Sequence, residues 1–266
     1  MALDRPDCVS LNHQGLTGLP ESLVGRVDLR RLHLWDNALT SLPDWLWDLR
    51  HLEELVLAGN HLRSLSPKIG HLQRLRLLDL GHNALTVVPE ELGHLTGLSG
   101  YLYRHDNRLG QLPASLGRLA SLPYLNISAN RLSSLPATIG GMVTLEELRA
   151  SGNQLTTLPP SIGELGQLRE LWLEDNRLAA LPDAVAGLGR LRVLSLRNND
   201  LLSLPAWLDR LGSLRHLDLR GNRLAALPAS LARLGSLEKL DLRWNPLEKH
   251  PSWLANLQQR GCTVWR

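Results

Sequence analysis

The sequence has no phenylalanine, and its 266 residues include only two cysteines and three tyrosines. A core without phenylalanine must be filled by another side chain, and leucine fills it here, as expected when every copy of a repeat occupies the same slots. The two cysteines, Cys8 and Cys262, lie near opposite termini and outside any metal or redox motif. On a solenoid they cannot reach each other, so an intramolecular disulfide is excluded and a reducing compartment is the plain reading. Long hydrophobic runs are missing too. The opening MALDRPDCVSL carries charges where a secretory signal has its apolar segment, and no run approaches a membrane span. A soluble, cytoplasmic protein is expected, with export that leaves no cleaved signal as the alternative.

Catalytic signatures are lacking as well. There is no G-x-x-x-x-G-K-[ST], no G-x-G-x-x-G between strand and helix, no H-E-x-x-H, no C-x-x-C and no G-x-S-x-G. Nor is there a strong charge of one sign: the net charge is +3. The surplus lies in residues 160–266, with 15 basic against 11 acidic side chains. That balance is too mild to argue for nucleic acid.

What the chain does contain is a repeat, written most clearly at Leu217 to Lys239, LDLRGNRLAALPASLARLGSLEK. Leu217 and Leu219 alternate as in a strand with one buried face. After Leu227-Pro228, the residues Leu231, Leu234 and Leu237 follow a helical spacing. One copy therefore encodes a strand, a tight turn and a return through a short helix or 3₁₀ turn entered through proline. Alone the unit cannot bury its leucines, whereas stacked copies can. Asparagine recurs at positions 37, 60, 83, 107, 130, 153, 176, 199, 222 and 245, every 23 residues except for one interval of 24. Counting back from Asn37 reaches Gln14 in a weaker first copy, which makes eleven repeats. A side-chain amide supplies both donors and an acceptor, so this column reads as structural, satisfying the backbone of a buried turn.

The pattern L-x-L-x-x-N-x-L-x-x-L-P-x-x-(L/I)-x-x-L-x-x-L, seen at 171–191 as LWLEDNRLAALPDAVAGLGRL, resembles the 23-residue subgroup of the leucine-rich repeat superfamily. It is similar to the repeats of Ras-binding scaffolds, Roco-type GTPases and bacterial stand-alone or effector proteins. The resemblance covers nearly the whole chain. It implies an α/β fold: a right-handed solenoid, or horseshoe, with a parallel concave sheet of about eleven strands and short helical or 3₁₀ convex segments. It also implies binding of another macromolecule.

Residues 1–266 read as a single domain, with 1–13 a lead-in, 14–250 the repeats and 251–266 a C-terminal cap made of a helix and a closing strand. No amphipathic capping helix precedes the first strand, expected near Cys8 to Leu11, so an exposed apolar edge is expected there. Two repeats depart from the pattern. Ser66-Pro67 displaces the usual Leu-Pro by one residue, which predicts a shifted turn. LSGYLYRHDN holds the inserted residue and puts Arg104 at a leucine position, which predicts a bulged strand with Arg104 turned outward, or paired with an acid such as Asp106.

Alternation in the strand places residues four and two before each asparagine on the concave face. The nearer column runs Trp35, Ala58, Gly81, His105, Ser128, Ser151, Glu174, Arg197, Arg220 and Arg243. The farther column includes His33, Asp79, Tyr103, Arg149, Trp172, Ser195, Asp218 and Asp241. Strands about 4.8 Å apart make an inner arc of roughly 50 Å, a surface for a protein or an extended peptide. Candidate partner-binding residues are His33, Trp35, Tyr101, Tyr103, His105, Trp172, Glu174, Arg197, Arg220, Arg243 and Trp244, because Trp, Tyr and Arg desolvate large areas and make directed contacts. Against this, the arginines have Asp218 and Asp241 beside them to form a solvated charge lattice.

The expected function is a non-catalytic scaffold binding a protein or peptide, of acidic or mixed charge, on the concave face. The alternatives are a secreted bacterial effector acting on a host protein, and a metal-dependent enzyme using His82, His105 and Asp106. Those histidines, like His71 and His94 on the convex side, are expected to be solvated surface residues. No cofactor, metal, small-molecule substrate or membrane is expected, and nucleic acid is disfavoured.

Overall fold

The computed structural model describes residues 7–103, 105–249 and 251–266. Twelve three-residue strands, Cys8–Ser10 first and Thr263–Trp265 last, lie in chain order in one parallel sheet. Eleven come from the repeats and the twelfth from the tail. The register is constant: Leu32 pairs with Leu55, and Leu55 with Leu78. Ten strand-to-strand returns pass through a 3₁₀ turn, such as Asp44–Asp48, and the last passes through the helix Trp253–Gln259.

Proline sets where each turn begins. Pro43, Pro89, Pro182 and Pro205 stand just ahead of the first turn residue with φ near the value the ring imposes, each −70 or −72°. Their carbonyls then accept the N–H three residues on, as from Leu46 to Pro43 at 3.1 Å. The Ser66-Pro67 repeat does not shift. Its turn, Pro67–His71, keeps the 23-residue register of Asp44–Asp48, because Ser66 takes the capping place and its hydroxyl accepts the Lys68 N–H at 3.2 Å. The inserted residue enters at the start of the strand Tyr101–Tyr103. The Ser99 and Gly100 N–H groups bond the Arg76 carbonyl as those of Arg76 and Leu77 bond the Glu53 carbonyl, at the usual offsets of 23 and 24 residues, so the extra residue falls between Gly100 and Leu102. The strand then keeps Leu78–Leu102 and Asp79–Tyr103 in register. Arg104, and with it the expectation of an outward or paired guanidinium, falls outside the described residues.

Leucines at the inward strand positions and on the 3₁₀ turns, including Leu32, Leu34, Leu39, Leu46 and Leu52, are completely buried. Each contributes about 2 kcal/mol through removal from water. Val9, Leu11, Leu16 and Leu19 at the N-terminal edge are only partly buried, and Val24 and Val27 are exposed. Cys8 and Cys262 are unbridged at opposite ends of the sheet.

The asparagine column ties each repeat to the one before it. The Asn60 carbonyl oxygen accepts the Leu39 N–H at 3.0 Å, while its amide donates to the carbonyls of Leu34 and Leu57 at 2.9 and 3.0 Å. The same pattern recurs at Asn153, Asn176, Asn199 and Asn222. The residue just before each asparagine adopts left-handed backbone, among them Asp36, His82, Asp106 and Trp244 with φ of 55, 50, 53 and 59°. That turn throws the preceding side chain onto the rim of the concave face.

Candidate concave-face site

Three columns, not two, face the hollow of the sheet. The third lies six residues before each asparagine and includes Glu54, Tyr101, Tyr124, Glu147, Glu170, His216 and Lys239. The same alternation that predicts the other two columns predicts this one. Its residues sit just before the first strand leucine, so counting from the asparagine stops short of them.

The predicted residues fall into three patches. In the first, His33 Nε2 lies 3.2 Å from Glu54 Oε2, and Trp35, 45% exposed, meets His13 edge-on with ring centroids 4.3 Å apart. His13 Nδ1 lies 2.8 Å from Asp36 Oδ2. In the second patch Tyr101 stacks edge-to-face on Tyr124 at 5.5 Å, and His105 meets His82 at 4.7 Å. Tyr103 lies on the same strand; its side chain is outside the description.

The third patch lies toward the C-terminal end of the sheet. Trp172, Glu174, Ser195, Asp218, Arg220, Asp241, Arg243 and Trp265 line a recess of about 360 Å³. Trp172 donates its indole N–H to Glu170 at 3.0 Å, and the Arg149 guanidinium lies 5.2 Å from its ring centre. Arg220 is held by Asp218 through Nε at 3.0 Å and lies 3.4 Å from Asp241; Arg243 binds Asp241 at 3.0 and 2.6 Å. Hydrogen bonding to these carboxylates raises the pKa of both arginines, Asp218 acting on Arg220 and Asp241 on Arg243. The charge lattice thus exists for two of the three arginines. Arg197 differs: among the described residues no carboxylate pairs with it, and its Nε is buried without a hydrogen-bond partner. Trp244 is 68% exposed beside Arg243, whose guanidinium lies 5.5 Å from its ring centre.

Chemically, the middle patch is the unusual one. His82 Nδ1 and His105 Nε2 lie 3.3 and 3.9 Å from the same oxygen of Asp106. Burial, and then the neighbouring His82, lowers the His105 pKa, while burial raises that of Asp79 on the adjacent strand. His71 and His94 are exposed on the convex side.

Family models match most of the chain: a leucine-rich repeat region at 107–203, and a leucine rich repeat at 9–62, 51–100 and 205–247. The chain belongs to the leucine-rich repeat family. Among solved structures it is similar to a leucine-rich repeat protein of Leptospira interrogans, with 30% identity over 97% of this chain and 71% of that one and a TM-score of 0.78. It is also similar to YopM, a leucine-rich effector protein from Yersinia pestis, with 28% identity over 90% of this chain and 61% of that one and a TM-score of 0.70. A third similar structure is the ectodomain of the Arabidopsis thaliana membrane receptor kinase GASSHO1/SCHENGEN3, solved in complex with Casparian strip integrity factor 2. There the identity is 30% over 96% of this chain but 34% of that one, with a TM-score of 0.74. No curated protein gives a significant match. Folds of this family are in general protein-interaction scaffolds, and its members are typically non-enzymatic. Among the described residues no helix is long and apolar enough to cross a membrane.

Proposed function

We propose that the protein is a non-catalytic scaffold that binds a protein or an extended peptide along the C-terminal half of its concave face. The observation that carries this reading is the recess bordered by Trp172 and Trp265, together with Arg197 in the repeat between those of Glu174 and Arg220, which has no carboxylate partner among the described residues. A tryptophan already oriented by Glu170 and Arg149 loses little side-chain freedom on binding, and an arginine without an internal partner gains most from a carboxylate brought by a ligand. Arg220 and Arg243 are occupied by Asp218 and Asp241, so their part is to hold the recess in shape and present mixed charge. An acidic or mixed-charge segment suits this surface. The likeness to the Yersinia effector supports a narrower version, a bacterial effector acting on a host protein; strict retention in a secretion assay would remove it.

The test is affinity capture from the source lysate by wild type and by Trp172→Ala/Arg197→Ala, with convex-side Arg190→Ala as control. Selective loss of captured proteins by the double variant is expected. An unchanged set would reject this face.

A further inference from the structure

The middle patch brings together three side chains that can ligate a metal, contributed by two consecutive repeats. His82 lies in the turn that follows the strand Leu77–Asp79, and His105 and Asp106 in the turn that follows Tyr101–Tyr103. Their ligand atoms, one from each residue, all lie within 4.8 Å of one another, and no other group of three such residues does so among the described residues. We propose that His82, His105 and Asp106 form a binding site for a divalent transition-metal ion of the zinc type on the rim of the concave face.

Geometry is the first argument. Ligands about 2.0–2.1 Å from a tetrahedral zinc stand roughly 3.3 Å from one another. His82 Nδ1 lies 3.3 Å from Asp106 Oδ2, and His105 Nε2 lies 3.9 Å from it. The three ligand atoms, all within 4.8 Å of one another, would draw together around the ion. The side chains of His82 and Asp106 are about half exposed, at 58 and 45%, so an ion can enter and water can complete its coordination sphere. Two imidazoles and one carboxylate with an open position are a donor set suited to zinc and its neighbours, and unsuited to calcium or magnesium, which favour oxygen ligands.

The backbone holds this arrangement in place. Left-handed conformations at His82 and Asp106, with φ of 50 and 53°, set both at the same turn of successive repeats, so one faces the other across the sheet spacing. Gly81, the only glycine in its concave column, leaves room for the His105 ring. A Cβ there would stand 2.7 Å from His105 Cε1 and 3.1 Å from both ring nitrogens. With any other residue at position 81 the imidazole must move from where it now meets His82.

The chain contains its own reference. His13, Trp35 and Asp36 occupy the equivalent places three repeats earlier, with the same edge-on ring packing and the same histidine-to-aspartate approach at 2.8 Å. Tryptophan replaces the second imidazole there, and an indole cannot ligate the ion. Two donors remain, and the first patch is therefore expected to bind zinc weakly or not at all.

The experiment is calorimetric titration of the full, tag-free chain with zinc chloride at neutral pH in a non-chelating buffer, backed by competition with a chromogenic chelator. Wild type is expected to bind one ion per chain. His82→Ala and His105→Trp should each weaken that site at least tenfold with unchanged circular dichroism, while His13→Ala leaves it intact. His82 is exposed, so its alanine variant isolates ligation from folding. No saturable one-to-one site in wild type, or undiminished binding in His82→Ala/His105→Trp, overturns the proposal. Neither result bears on capture through Trp172 and Arg197.

Discussion

The patch at His13, Trp35 and Asp36 and the patch at His82, His105 and Asp106 are built on the same backbone turn and held by the same asparagine chemistry. Of the three side chains in each, one differs. Trp35 makes the first an aromatic surface, and His105 makes the second a set of three ligands. The solenoid thus separates support from function: what faces the leucines is repeated, and what faces the hollow is free to change. That separation follows from the two-residue period of a strand, because a substitution on one face leaves the other face where it was.

The strongest way to break the comparison is to remove the shared support. Asn37 accepts the Gln14 and Leu16 N–H groups and donates to the Leu11 and Leu34 carbonyls, and Asn107 accepts the Leu85 N–H and donates to the Leu80 and His105 carbonyls. Asn37→Ala and Asn107→Ala leave several buried backbone groups unsatisfied, and each should cost about 3 kcal/mol in denaturant unfolding. A loss at one site without a similar loss at the other would mean the two supports are not equivalent.

The comparison is sharpened by converting one patch into the other. Trp35→His supplies the missing third donor beside His13 and Asp36, so a second zinc ion should bind, more weakly than the first, in the same calorimetric titration. Failure to gain a site would show that the neighbouring strand matters as much as the ligand type, since Asn12 stands there where Gly81 stands in the second patch.

The smallest expected effect is on pH dependence. Burial and His82 depress the His105 pKa below its ordinary value of 6.5, so the unfolded chain takes up this proton at a higher pH than the folded one. The contribution of His105 to stability is therefore complete above about 6.5 and is lost as the pH falls through the folded value. In metal-free protein the urea midpoint should drop more between pH 7.5 and 5.5 in wild type than in His105→Gln. Asp79, whose pKa burial raises, acts in the opposite sense.

The repeat length, the buried leucines, the structural asparagines, the closing helix and strand and two of the three concave columns could all be read from the residue order. The two departures were legible as departures but not in their outcome. A serine hydroxyl replaced proline as the cap at Ser66, and the insertion was taken up between Gly100 and Leu102, after the usual bonds to the Arg76 carbonyl. Both are decided by which backbone group finds a partner, and side-chain patterns do not encode that. The left-handed residue before each asparagine had a signal, since Asp36, Gly59, Asp106, Gly152, Asp175, Asn198 and Gly221 tolerate that conformation, but His82, Ala129 and Trp244 obscure it.

Residue order alone determined that this chain stacks into a solenoid and which side chains line its hollow, because a constant period forces every leucine column to be buried by the copy beside it. Only the tertiary structure decided how the lining side chains are used. Asp218 and Asp241 occupy two arginines and leave Arg197 without a carboxylate partner among the described residues, and the space above Gly81 lets His105 lean toward His82. Those outcomes depend on distances of a few ångströms between residues 23 or 24 apart in the chain, which periodicity brings into register but does not resolve.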